Sequence, residues 1–229
     1  MSLGAVLAGL VHLYTASGAV VAFLTLWFIE QSEFETAFWL MVLAVVVDAT
    51  DGTLARAVRV KERIPWLDGD RLEDIVDYLN YVLVPTFFLV RADLLPPDDE
   101  LWLAALPLLA SAYGFCQKEA KTPDHFFLGF PSYWNIVAFY LYALETPRWI
   151  NGFVVLILCA LVFVPLRYLY PSRTPILRGL TLGLGILWGI SILWVLYQLP
   201  QASFPLVIAS LFYPAYYTIL SLWLAARRR

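Results

Sequence analysis

Charge is scarce in this chain. Asp, Glu, Lys and Arg make up 14% of its 229 residues, against about 25% in a soluble domain. No polar stretch is long enough to fold into a water-soluble domain, which excludes a single-span anchor carrying one. Cysteine is nearly absent, and Cys116 and Cys159 both fall in apolar stretches, so a disulfide scaffold is excluded. No internal repeat and no low-complexity segment is present, and no nucleic-acid partner is expected. Residues 1–29 lack a basic leader region and run too long for a cleaved signal; they are expected to persist as a membrane span. What the chain has in abundance is apolar surface: 61% of residues, including 9 Trp, 13 Tyr and 15 Phe. These numbers describe an integral membrane protein. The apolar runs are much longer than the alternating segments of about 10 residues found in membrane β-barrels, so the spans are helical.

A helical span needs about 20 apolar residues, and the sequence divides into about eight. They cover roughly 3–29, 36–55, 72–90, 101–115, 133–144, 150–166, 177–199 and 204–226. The first has room for a short interfacial helix before its span, and the fifth is short. Pro85, Pro107 and Pro214 lie inside spans and are expected to kink them. The loops after spans two, four and six, taken with the C-terminal residues, hold 13 of the 15 basic residues, all but Arg91 and Arg148. Positive residues mark the cytoplasmic side. Both termini are therefore expected in the cytoplasm, with residues 1–229 forming one membrane-embedded domain.

Ionisable residues inside a membrane are costly and by default functional. Span two ends in Asp48-x2-Asp51-Gly52-x2-Ala55-Arg56, and span three begins Gly69-x3-Glu73-x3-Asp77. Positions three and four apart share a helix face. Asp48 and Asp51 therefore point together, as do Glu73 and Asp77, with Asn80 and Tyr81 one turn deeper. Four carboxylates on two antiparallel neighbouring helices require a compensating cation. An all-oxygen donor set fits a hard divalent metal, Mg2+ or Mn2+. Glycine beside a carboxylate lets a bulky ligand approach the backbone, Ala55 keeps the same face small, and Arg56 offers a positive fork for phosphate. Carboxylates, metal, glycine and arginine at a membrane surface together suit a diphosphate. Two blander readings compete: an ion-pair cluster holding helix ends together, and the pathway of a cation transporter. Against the second, the acidic residues sit at the span ends. An alternative register through Asp70 and Asp74 keeps the four-residue spacing but breaks the offset from Gly69.

This string resembles the signature of the CDP-alcohol phosphatidyltransferases, membrane enzymes with a six-helix core. The likeness extends over nearly the whole chain to the bacterial phosphatidylcholine synthase branch of that family. It is carried by residues 12–18, 77–85, 120–135 and 170–174, and by eight spans in place of six. Two features depart from the general pattern. Arg56 and Gly69 are separated by 12 residues, a longer loop than the family's, and Glu73 stands where the family has Asp.

The resemblance implies a reaction in which CDP-diacylglycerol and choline give phosphatidylcholine and CMP. Metal ligands would be Asp48, Asp51, Glu73 and Asp77, with Asp77 also the general base. Thr15, Gly52, Ala55, Arg56, Gly69 and Arg173 would contact CDP-diacylglycerol. For Thr15 a bond to its own helix backbone is the alternative, and for Arg173 an anchor at lipid headgroups. His12 reads as a helix-end histidine or a phosphate or nucleotide contact, and His125 as a polar loop residue or a substrate contact. Choline carries no N–H on its cationic head, so aromatic faces are expected to select it. Tyr81 leads, followed by Tyr78, Tyr113, Tyr133 and Trp134. Asn135 stands beside them, and a carboxylate such as Glu119 or Asp124 could add attraction. Other acceptor alcohols (serine, inositol, glycerol phosphate) use the same signature. Membrane lipids are natural partners, and related enzymes imply a homodimer.

Overall fold

A computed structural model describes every residue except Met1, Glu119, Lys121, Pro123, His125, Ser172, Arg228 and Arg229. The expectations placed on His125 and Glu119 lie outside the described residues. The described chain is helical apart from one small ribbon, and it divides into two compact units, residues 1–92 and 93–229.

The first unit opens with α1 (Leu3–Glu30), whose first turn is capped by Ser2 Oγ accepting from Ala5 N–H at 3.3 Å. After a short turn, α2 (Phe34–Val58) runs back antiparallel and ends at Arg59, which adopts a left-handed conformation with φ 54°. One helical turn, α3 (Val60–Arg63), tucks Val60 and Ile64 under Ala8 and Val11 of α1. The chain then enters α4 (Gly69–Tyr78), capped by Asp68 Oδ1 accepting from Arg71 N–H at 3.2 Å. It continues without a break through a π-helical turn at Leu79–Leu83 into α5 (Val84–Arg91). Pro85 explains that turn. Proline has no N–H to give the carbonyl four residues back, and its ring crowds that carbonyl, here Tyr81's. Widening the turn relieves the clash, and the Val84 N–H bonds the Leu79 carbonyl instead.

Close helix contact in this unit comes from residues without bulk. Lipid offers apolar side chains no reason to leave it, so membrane helices pack through small residues and polar bonds. Gly18 of α1 is one example: a Cβ there would lie 2.5 Å from Val76 Cγ1. The same carbonyl, Gly18 O, accepts from Asn80 Nδ2 at 3.0 Å. Leu13, Phe23 and Trp27 of the same helix point outward and are mostly exposed, as lipid-facing residues should be. At the far end, Arg91 of α5 pairs with Glu30 of α1 at 3.0 Å.

The second unit holds α6 (Glu100–Cys116), α7 (Trp134–Ala143), α8 (Arg148–Phe163), α9 (Arg178–Gln198), α10 (Phe204–Ser210) and α11 (Phe212–Arg227). Several of its buried polar groups are paired: Trp134 Nε1 and Ser132 Oγ both reach Ser111 Oγ at 2.9 Å, and Tyr140 Oη meets Ser210 at 3.0 Å. Arg148 pairs with Asp93. The two basic residues that depart from the charge asymmetry, Arg91 and Arg148, are thus both neutralised locally.

Eight helical stretches lie where eight spans are expected. Four of them are long and apolar enough to cross a bilayer unaided: Leu3–Glu30, Phe34–Val58, Arg178–Gln198 and Phe204–Ala226. α6 and α8 are shorter apolar helices. α7, with 10 residues, is only about 15 Å long. The multi-pass, all-α class stands, with one addition. β1 (Phe126–Leu128) and β2 (Arg167–Leu169) form an antiparallel ribbon, Phe127 opposite Tyr168. These strands come from the loops after α6 and α8, two of the loops that the charge partition assigns to one side.

Candidate active site

The site forms in the first unit, where α2, α4 and the π turn meet α1. Carboxylate oxygens of Asp48, Glu73 and Asp77 lie within 4.8 Å of one another, all three partly buried. Asp48 comes from α2 and the other two from successive turns of α4, so the four-residue spacing places them on one face. A cavity of about 10 Å³ beside them is lined by Thr15, Asp48, Asp51, Asp77, Asn80 and Tyr81, with apolar neighbours. That is room for about one water-sized occupant. Three oxygen donors of like charge within 4.8 Å of one another fit a hard divalent cation.

Asp51 lies one turn beyond Asp48 on the cavity wall and is buried, but it is outside the three-carboxylate group. Asp70 and Asp74, the alternative register, are exposed on α4. Asp70 bonds Lys61 Nζ at 2.7 Å, and that bond holds the ammonium pKa above its usual value. Glu73 therefore occupies the third acidic position of the motif in space as well as in sequence.

Around this group the expected nucleotide-lipid residues divide. Thr15 is buried on the cavity wall, with its hydroxyl donating to the Val11 carbonyl at 3.4 Å. Gly52 has an open face: a Cβ there would meet only Arg56 Nη1, at 3.3 Å. Arg56 is exposed and donates to Thr53 Oγ1 at 3.0 Å. Ala55 turns toward the apolar cluster of Ala8, Val11, Val60 and Ile64. Gly69 faces the ring of His12: a Cβ there would lie 2.9 Å from His12 Cε1. His12 itself is buried, and its Nε2 has no hydrogen-bond partner.

Tyr78 and Tyr81 are partly buried on the helical run that carries Asp77, and the Tyr81 hydroxyl donates to Asp48 Oδ2 at 2.8 Å. Tyr113, Tyr133, Trp134, Asn135 and Arg173 belong to the second unit. Tyr113 is half exposed, its ring 4.9 Å from that of Phe163. Tyr133 packs on Tyr217. Trp134 is fully buried and bonded to Ser111. Asn135 Oδ1 is buried without a hydrogen-bond partner. Arg173 lies over the Tyr170 ring at 5.2 Å. Asp124 pairs with Arg167 at 2.9 Å.

The sequence reading overlooked the contacts that frame the site. Tyr14 Oη and Thr50 Oγ1 meet at 2.8 Å, joining α1 to α2 at the level of the carboxylates, and Asn80 anchors α1 to the π turn. Two hydroxyl residues on facing helices carry no signal in one sequence. Pro85, five residues after Asn80, does carry one.

The family model of the CDP-alcohol phosphatidyltransferases matches residues 7–166. The chain belongs to that family. It is thus a phosphatidyltransferase, and its carboxylate group lies within the matched residues. Proteins named phosphatidylcholine synthase align along most of its length. One from Legionella pneumophila is 43% identical, covering 93% of this chain and 86% of its own. One from Legionella bozemanae is 44% identical over 85% of this chain and 93% of its own. One from Pseudomonas aeruginosa is 37% identical over 95% and 91%.

Proposed function

We propose that this phosphatidyltransferase makes phosphatidylcholine from CDP-diacylglycerol and choline, releasing CMP. The observation that carries the reading is the three-carboxylate group of Asp48, Glu73 and Asp77 in a chain similar almost end to end to proteins named phosphatidylcholine synthase. Asp48, Glu73 and Asp77, with Asp51 beside them, would hold Mg2+ or Mn2+. Such a cation, when bound, neutralises the diphosphate and offsets charge on the departing CMP phosphate. Asp77 accepts the proton of the choline hydroxyl. The freed oxygen forms a bond to the phosphorus that carries diacylglycerol, and the bond from that phosphorus to the CMP oxygen breaks. Thr15, Gly52 and Arg56 hold the nucleotide-diphosphate end. Ala55 and Gly69 support this end by packing, and Arg173 is proposed to hold the lipid phosphate.

Choline is held through ring faces, with Tyr81 and Tyr78 nearest Asp77 in the chain. Tyr113, Tyr133, Trp134 and Asn135 are proposed as further choline contacts, and residues 1–229 as one catalytic domain. The basic asymmetry supports a site and termini on the cytoplasmic side of an inner membrane, and a homodimer is the proposed assembly. The test is CMP release by purified protein supplied with CDP-diacylglycerol and, in turn, choline, serine, inositol and glycerol phosphate. Release with choline alone, and its loss on chelation, is the expected outcome. Release with another alcohol only would overturn the choline assignment.

A further inference from the structure

The hydroxyl of Tyr81 points at a carboxylate, not into open space. It donates to Asp48 Oδ2 at 2.8 Å across 33 residues of sequence, in a part-buried setting. A carboxylate has two oxygens and several acceptor directions. One oxygen engaged by a phenol fixes the group's rotation and commits the other to a defined direction. Asp48 is the single member of the three-carboxylate group that comes from α2; Glu73 and Asp77 are fixed relative to each other by α4. The Tyr81 bond therefore ties the helical run that carries Glu73 and Asp77 to Asp48 of α2. Consecutive residues of a helix point in different directions, so Asn80 bonds the Gly18 carbonyl of α1 while Tyr81 bonds Asp48 of α2.

We infer that Tyr81 is a positioning residue for Asp48: its hydroxyl orients that carboxylate toward Glu73 and Asp77, setting the affinity of the group for a divalent cation. This rests on the reading of the site as a metal centre and separates two roles of one side chain, the ring toward choline and the hydroxyl toward Asp48. Groups that orient a metal ligand typically change affinity by about 10- to 100-fold when removed.

The experiment uses Tyr81→Phe in the full chain, which keeps the ring and removes only the hydroxyl. Mn2+ binding is measured by calorimetry on purified protein without substrate. The expected result is Mn2+ binding weakened by about 10-fold or more. In an Asp48→Asn background, Tyr81→Phe should weaken Mn2+ binding no further, since the carboxylate it orients is gone. The unfolding temperature without metal should fall by no more than about 4 °C, the size of one lost hydrogen bond in a chain this long. A larger fall, or a variant that does not fold, makes Tyr81 a structural residue and overturns the inference. So does unchanged Mn2+ affinity. If wild-type protein binds Mn2+ but releases no CMP with choline, the functional proposal fails while the positioning role is still read from binding.

Discussion

The imidazole of His12 fills the space that a side chain on Gly69 would need. A Cβ built on Gly69 would lie 2.9 Å from His12 Cε1, closer than real carbon contacts come. The glycine of the family motif is here a packing glycine between α1 and the start of α4. Gly69→Ala should therefore lower stability by about 1–3 kcal/mol through overpacking. The double variant Gly69→Ala/His12→Ala should recover thermal stability. If the double variant melts as low as the single one, Gly69 is needed for another reason, such as ligand approach.

A similar conflict is expected one level deeper. Gly18→Ala would drive its methyl into Val76 and strain the Asn80 bond to the Gly18 carbonyl. Thermal melting in detergent should show a loss of about 1–3 kcal/mol. Val76→Ala should restore most of it. Stability unaffected by Gly18→Ala would mean that α1 and α4 can separate without cost.

Glu73 is the departure from the family pattern, and its carboxylate joins Asp48 and Asp77. Glu73→Asp should retain or raise activity, since the charge and donor type persist. Glu73→Ala should lose metal-dependent turnover, and Asp74→Ala should stay near normal. An inactive Asp74→Ala beside an active Glu73→Ala would shift the metal register to Asp70 and Asp74.

Asp77→Asn should lower kcat by about 10²–10⁴-fold while nucleotide-lipid binding survives, because a base acts mainly in the transition state. Asp48→Asn should weaken Mn2+ binding as well. Titration of Mn2+ and of CDP-diacylglycerol beside the rates separates the two effects. Full activity in Asp77→Asn would remove it from the base role.

Orientation is open to direct labelling. In a background lacking Cys116 and Cys159, a cysteine placed at Arg63 should resist impermeant reagents in intact cells and react in inverted vesicles. Labelling from outside would reverse the assigned topology.

The eight helical stretches were legible because apolar run length and basic loops are one-dimensional signals, and the bonds neutralising Arg91 and Arg148 fit that partition. The grouping of Asp48, Glu73 and Asp77 was legible from the four-residue spacing and the offset from Gly69. Other features depend on partners distant in sequence. The strands 126–128 and 167–169 are three residues each, too short for alternation to register. The role of Gly69 depended on a histidine 57 positions earlier. Ala55 read as a ligand face because spacing gives a direction and not what stands there. The bond from Tyr81 to Asp48 joins residues 33 positions apart, and spacing within one helix gives a face and not the partner on another.

The ribbon between β1 and β2 orders events in time. β1 leaves the ribosome about 40 residues before its partner strand, and α7 and α8 must enter the membrane in between. β2 in turn waits for α11, since Ser221 Oγ accepts from the Leu169 N–H at 3.1 Å and Tyr217 Oη donates to the Leu169 carbonyl at 2.9 Å. An unpaired strand edge is adhesive toward other chains. During synthesis the second unit therefore passes through a stage in which β1 waits for β2, and a later one in which the Leu169 backbone groups wait for the helix carrying Tyr217 and Ser221.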